Sequence, residues 1–188
     1  LLSKENELTG TVMRYDYDRF DFLIRQETTQ GSETDVIYRV PDFVGNLFGT
    51  PDRKDRKYGA GGKLLEDPDC FYHYDDEGNL IFREFKQLQE TGVRYDRKRM
   101  EKERGIRCLA TGTGWLYEWS SNGMLKKVIR PDGRLVEFRY DALGRRTAKR
   151  YFGKITRWVW NGNVPIHEWS YKAIGLQSEE EGNIPPKE

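Results

Sequence analysis

Tyr72-His73-Tyr74-Asp75-Asp76-Glu77-Gly78-Asn79-Leu80 decides the fold, because the chain repeats it. Tyr117-Glu118-Trp119-Ser120-Ser121-Asn122-Gly123-Met124-Leu125 keeps the same spacing, as does Phe138-Arg139-Tyr140-Asp141-Ala142-Leu143-Gly144-Arg145-Arg146. Two aromatics two residues apart share one face of a strand. The Asp opens a tight turn, since its carboxylate accepts hydrogen bonds from backbone N–H groups just ahead. The Gly closes that turn, at a position expected to need φ > 0. Each phrase predicts strand, turn and strand, and its recurrence predicts a repeat array.

Weaker copies extend the pattern. Residues 13–23 keep Tyr15, Tyr17, Asp18 and Leu23, with Asp21 where Gly stands elsewhere. Asp tolerates a left-handed backbone better than most residues. Residues 38–47 carry one extra residue before Gly45, which predicts a bulge or a longer loop. Arg56-Lys57-Tyr58-Gly59 continues to Gly62 and Leu64 with Gly in place of Asp. Trp158-Val159-Trp160-Asn161-Gly162-Asn163 sets Asn-Gly between alternating stretches, a strong hairpin signal. Pro131-Asp132-Gly133 marks a further turn.

The expected class is all-β: consecutive antiparallel hairpins in one long twisted sheet over residues 1–170. Its units lie near 13–23, 38–47, 56–64, 72–80, 117–125, 138–146 and 158–169. Residues 96–104 are the one place for a short helix, with Asp96 as N-cap and Gly105 as a stop. Residues 171–188, with Glu179-Glu180-Glu181 and Pro185-Pro186, read as an extended or disordered acidic tail. The residues expected to define the repeat are Tyr72, Tyr74, Asp75, Gly78, Leu80, Trp119, Gly123, Leu125, Tyr140, Asp141, Gly144, Trp158, Trp160 and Gly162.

Composition narrows the function. Charged residues make up 34% of the 188, yet the formal net charge is only +1. No global field draws in nucleic acid or an anionic membrane. No apolar run is long enough to span a bilayer as a helix. Leu1-Leu2-Ser3-Lys4 does not read as a secretion signal, and with no initiator Met the chain reads as a piece of a larger one. Cys70 and Cys108 lack metal-ligand spacing and are expected to be semi-buried thiols.

Candidate chemistry is sparse. The aromatics Tyr15, Tyr17, Tyr72, Tyr74, Tyr117, Trp119, Phe138, Tyr140, Trp158 and Trp160 could stack on sugars or bases. Their fixed place in each unit favours an internal ladder of cross-strand pairs. Asp18, Asp75 and Asp141 are explained as turn formers. His73 and His167 have no metal spacing, and His73 is expected to point away from its flanking tyrosines. The basic runs Arg53-Lys54-Asp55-Arg56-Lys57, Arg97-Lys98-Arg99 and Arg145-Arg146 read as solvated faces, and Gly59-Ala60-Gly61-Gly62 as a turn. No catalytic, cofactor-binding or metal residue is predicted, and the chain is not expected to be an enzyme.

Phe138 to Arg146, followed by Trp158 to Asn163 and Glu168-Trp169, closely resembles the core of Rhs proteins. Tyr72 to Leu80 resembles the YD repeats of that family, of teneurins and of insecticidal toxin-complex proteins. The resemblance covers most of residues 12–170. It implies a structural role: many YD repeats form one sheet that spirals into a hollow shell around a C-terminal toxin used in bacterial competition or virulence. Implied partners are flanking repeats, the enclosed toxin domain and secretion machinery. The parent would be made in a bacterial cytoplasm and exported or held at the cell surface. Family cores often end in an Asp-Pro-Gly-Leu-type self-cleavage segment; the sequence does not contain it, so no residue takes that role. The alternative is a cell-surface repeat module that binds carbohydrate.

Overall fold

The computed structural model describes residues 2–173, in two compact units that meet in sequence at Asp69 and Cys70. In the first unit, β1 (Ser3–Asn6), β2 (Thr11–Tyr17), β3 (Leu23–Gln30) and β4 (Glu33–Tyr38) form a four-stranded antiparallel meander in sequence order. Two short hairpins follow: β5 (Val40–Pro41) with β6 (Leu47–Phe48), and β7 (Lys57–Tyr58) with β8 (Leu64–Glu66). Strand β1 carries no sequence signal, because all four of its residues are exposed and polar. The expected tail boundary at 170 lies inside a strand, and residues 174–188 fall outside the described residues.

The second unit contains β9 (Cys70–Tyr74), β10 (Leu80–Phe85), helix α1 (Arg97–Arg104), β11 (Gly114–Trp119), β12 (Leu125–Ile129), β13 (Leu135–Tyr140), β14 (Arg146–Tyr151), β15 (Lys154–Asn161) and β16 (Val164–Lys172). The eight strands lie side by side in sequence order, every pair antiparallel.

One turn geometry recurs in both units. Asp75 N–H donates to the Asn79 carbonyl and Gly78 N–H donates back to the Asp75 carbonyl, both at 3.0 Å. The same two bonds close the turns opened by Asp18, Asp42, Gly59, Ser120, Arg130 and Asp141. The fourth residue of each has positive φ, between 63° at Asp21 and 91° at Gly45. This is a type I turn whose next residue is left-handed, the geometry of a three-residue hairpin loop. The turn at Asp42 has this length too. The extra residue expected there is Arg39, which separates β4 from β5 before the turn begins.

The residue before each opener pairs with the residue five after it: Tyr17 with Leu23, Pro41 with Leu47, Tyr58 with Leu64, Tyr74 with Leu80, Trp119 with Leu125, Ile129 with Leu135 and Tyr140 with Arg146. Where the first partner is aromatic, the ladder then skips one residue: Ile24, Leu65, Ile81, Lys126 or Thr147. These bulges accompany the aromatic residue and are absent beside Pro41 and Ile129. A bulge raises local twist. Each aromatic phrase thus bends the sheet as well as reversing the backbone.

Two hairpins of the second unit use shorter loops. Phe152-Gly153 has φ of 47° and 68°, as a type I′ loop requires. Asn161 is the last residue of β15 and pairs with Val164, so Gly162-Asn163 form the β15–β16 loop.

The β10–β11 connection, residues 86–113, is the exception to short turns. Asp96 caps α1 by accepting from Arg99 N–H at 2.8 Å, and Gly105 ends the helix at φ 66°. Only Met100 of the helix is buried. With Ile106 it packs on Phe82 and Leu116 of the sheet, with Ile81, Tyr95, Cys108 and Ile129 around them. The main apolar core of the second unit therefore lies between this connection and one face of β10–β12. Gly114 lets β11 approach, since a Cβ there would stand 2.0 Å from the Arg83 carbonyl oxygen.

Two glycine substitutions separate strain from collision. A Cβ at Gly123 meets nothing within 4 Å, so Gly123→Ala is expected to lose only the left-handed strain, about 1–2 kcal/mol. Gly114→Ala must push two backbones apart and is expected to cost at least about 3 kcal/mol. Urea unfolding of the two variants checks the order.

Candidate functional site

The sheet of the second unit presents two chemically different faces. Register places Phe82, Leu116, Ile129 and Leu135 in one cross-strand row. Farther along that face charges pair: Arg104 with Glu118 at 3.1 Å, Lys127 with Glu118 at 3.7 Å and Arg150 with Glu137 at 3.5 Å.

On the other face, cations sit over rings. The Arg146 guanidinium lies between Phe138 and Trp158, 5.7 and 4.8 Å from their centroids. Arg130 lies between Trp115 and Tyr151, 5.4 Å from each, and reaches Asp132 at 3.3 Å. Arg83 stands 5.9 Å from the Tyr72 ring and donates to Cys70 Sγ at 3.2 Å. Each such contact contributes roughly 0.5–1 kcal/mol at exposed sites. The groups packed on these rings are guanidinium groups. Arg145-Arg146 is not a simple solvated pair either. Arg145 is held by Asp141 at 2.7 Å and donates to the Gly162 carbonyl at 2.5 Å, joining two turns.

The two tryptophans next to turns tie adjacent strands. Trp119 Nε1–H donates to the Leu80 carbonyl at 2.8 Å, and Trp160 Nε1–H to the Arg146 carbonyl at 2.9 Å. Leu80 and Arg146 each directly precede a bulged residue. Trp158 donates to Glu168 at 2.6 Å.

The turn carboxylates are occupied. Asp75 accepts from Asn79 N–H at 2.7 Å and from the Asn79 amide group at 3.0 Å. Asp18 accepts from Phe20 and Phe22 N–H at 2.8 and 3.0 Å. Asp141 accepts from Leu143 and Arg145 N–H. Burial pushes the Asp141 carboxyl up, and those donors outweigh it, leaving it below the usual range. Gly78, Gly123 and Gly144 close their turns, while Tyr140 and Leu125 stand in the pairs that flank them.

Sequence reasoning missed one carboxylate. Glu84 on β10 is wholly buried. Its Oε1 accepts from Ala110 and Gly112 N–H at 2.9 Å, and its Oε2 from Leu109 N–H at 2.8 Å. His73 Nε2 stands 3.0 Å from Oε2, its ring stacked on Phe82 at 5.7 Å. Burial alone pushes this acid up; His73 and the three N–H groups overcome that and hold it at about 2. The carboxylate clips the 86–113 connection to the sheet. His73 is enclosed in that clip, while His167 lies tilted on Trp169 at 5.3 Å. Cys70 and Cys108 are not joined by a disulfide. Among the described residues, no group of three or more His, Cys, Asp or Glu residues is arranged to hold a metal ion. No helix among them is long and apolar enough to cross a membrane.

Residues 119–160 match the family model described as RHS Repeat. The chain belongs to the Rhs/YD-repeat family. It is 33% identical over 141 residues to the probable deoxyribonuclease RhsB of Dickeya dadantii (strain 3937), covering 73% of this chain and 8% of that protein. The probable deoxyribonuclease RhsA of the same strain is 28% identical over 141 residues, with the same coverage. Mouse Teneurin-4 is 28% identical over 163 residues, 79% of this chain and 6% of its own length. The chain therefore spans less than a tenth of each of these relatives.

Two predictions test the clip. A folded acid held below its ordinary value contributes stability above the unfolded pKa and loses it as pH falls. For Glu84 the window runs from about 4.5 down to about 2. Glu84→Gln is expected to cost about 2–4 kcal/mol at neutral pH and to flatten the acid limb in that window, read from urea midpoints against pH. Separately, the buried Tyr95 hydroxyl has no hydrogen-bond partner among the described residues, and burial pushes it up to about 12. Tyr95→Phe is expected to raise stability by about 1 kcal/mol, measured the same way.

Proposed function

We propose that the chain is a stretch of the wall of an Rhs-type shell, one that encloses a C-terminal toxin and performs no chemistry itself. One observation carries this reading: eight strands stand in unbroken sequence order, each connection adding the next strand to the growing edge. Such a sheet extends by repetition, and its bulges supply twist and so curvature. The small fraction of each relative that the chain spans fits a wall built from many such stretches. The names of the two bacterial relatives assign them a deoxyribonuclease activity. On this reading the nuclease is cargo, and the partners here are neighbouring repeats, the cargo domain and an export route that carries the whole.

The glycan-binding alternative needs bare ring faces. The rings of Phe138, Trp158, Trp115 and Tyr151 each carry a guanidinium over one face, which weakens it.

Reading the coding region on both sides tests the proposal. Further Tyr-x-Tyr-Asp-x-x-Gly units and an unrelated downstream domain are expected. Limited proteolysis of the product should then spare that domain, and deleting residues 114–161 should expose it. Start and stop signals tight around these residues, or equal cleavage with and without the deletion, would contradict a wall.

A further inference from the structure

The sequence holds two Asn-Gly pairs among its described residues, Asn122-Gly123 and Asn161-Gly162, and the fold treats them oppositely. Asn-Gly is prone to a self-modification. The Gly backbone nitrogen attacks the carbon of the Asn amide group and a C–N bond forms. The Gly amide proton is lost to solvent base, the departing Nδ2 takes a proton from water, and ammonia leaves as the bond between that carbon and Nδ2 breaks. The resulting five-membered imide is opened by water at either carbonyl, giving aspartate or isoaspartate. No oxidant, metal or enzyme is required.

Both partners of that reaction are engaged at Asn122-Gly123. Gly123 N–H donates to the Ser120 carbonyl at 2.9 Å as part of the turn. Asn122 Oδ1 accepts from Met124 N–H at 3.2 Å, which fixes the amide group. Attack there must first break the bond that closes the hairpin.

Asn161-Gly162 lacks both restraints. Asn161 is exposed at the end of β15, and Gly162 begins a two-residue loop. In such a loop the cross-strand bonds belong to Asn161 and Val164, and the Gly162 amide lies outside the ladder. No described residue hydrogen-bonds the Asn161 amide group, and nothing stands within 4 Å of the position a Gly162 Cβ would take. The nucleophile is free, the electrophile can turn, and space is open around them.

We infer that Asn161 is a site of spontaneous conversion to aspartate and isoaspartate, and that Asn122 is protected by its turn. The position has consequences for the fold. Isoaspartate inserts a methylene into the backbone between Asn161 and Gly162, where the register of β15 and β16 is set. The Gly162 carbonyl, which accepts from Arg145 at 2.5 Å, moves with it. The new carboxylate stands in the loop that Arg145 holds. Conversion therefore loosens the β15–β16 hairpin, an irreversible mark that accumulates with the age of the molecule.

The test is incubation of the whole protein in mildly alkaline buffer, with peptide mass spectrometry following the replacement of NH2 by OH at each Asn. Conversion at Asn161 is expected to outpace that at Asn122 by about five-fold or more, the factor that one net hydrogen bond corresponds to. In concentrated urea the two rates should converge. Amide exchange on the aged protein should quicken along β15 and β16, and Asn161→Ser should abolish that change. Equal rates in the folded protein, a faster Asn122, no conversion at Asn161, or a rate ratio unchanged by urea would each overturn the inference.

Discussion

The left-handed fourth residue of a five-residue turn is the constraint on which the rest of this structure depends. Once its φ is positive, the type I turn can close with two backbone hydrogen bonds and return the backbone antiparallel. The residues on either side of the turn are then fixed opposite one another, and that pair sets the register of the whole hairpin. In six of seven such turns the returning partner is Leu, and in five the outgoing partner is Tyr or Trp. Asp and Gly make the reversal, and the aromatic with its opposite number makes the strands stay in register.

A sheet made this way has little core of its own. Its stability comes from many modest contacts: rings under guanidinium groups, indole N–H groups on carbonyls beside bulges, and ion pairs on the opposite face. The second unit adds something different. There the connection over residues 86–113 folds across β10–β12, buries Phe82, Met100, Ile106 and Leu116, and is fastened by a carboxylate with four polar neighbours. A buried charge is tolerated only when its lone pairs are filled. Glu84 meets that condition with three backbone N–H groups and His73.

The turns were legible because their chemistry is local. Asp75, Gly78 and Leu80 announce a hairpin within a few residues of one another, and α1 is framed by its own cap and stop. What the sequence hid is non-local. Glu84 reads as one polar residue in an alternating strand, and the N–H groups that receive it arrive 25 to 28 residues later. Thr111-Gly112-Thr113-Gly114 is the one trace of that nest, two glycines where backbone approaches backbone. The arginines over the aromatic ladder were missed for the same reason. Arg130 lies far in sequence from Trp115 and Tyr151, and only register brings the three together. The bulges were hidden because they appear only when two strands are counted against each other.

Amide hydrogen exchange, resolved residue by residue, reads the two hydrogen bonds of each turn directly. Slow exchange is expected at the first and fourth residues of each turn in the second unit: Asp75 and Gly78, Ser120 and Gly123, Arg130 and Gly133, Asp141 and Gly144. Fast exchange is expected at Asp76, Ser121 and Ala142, which lie between. Protection confined to α1, or first and fourth residues that exchange as fast as the residues between them, would contradict it.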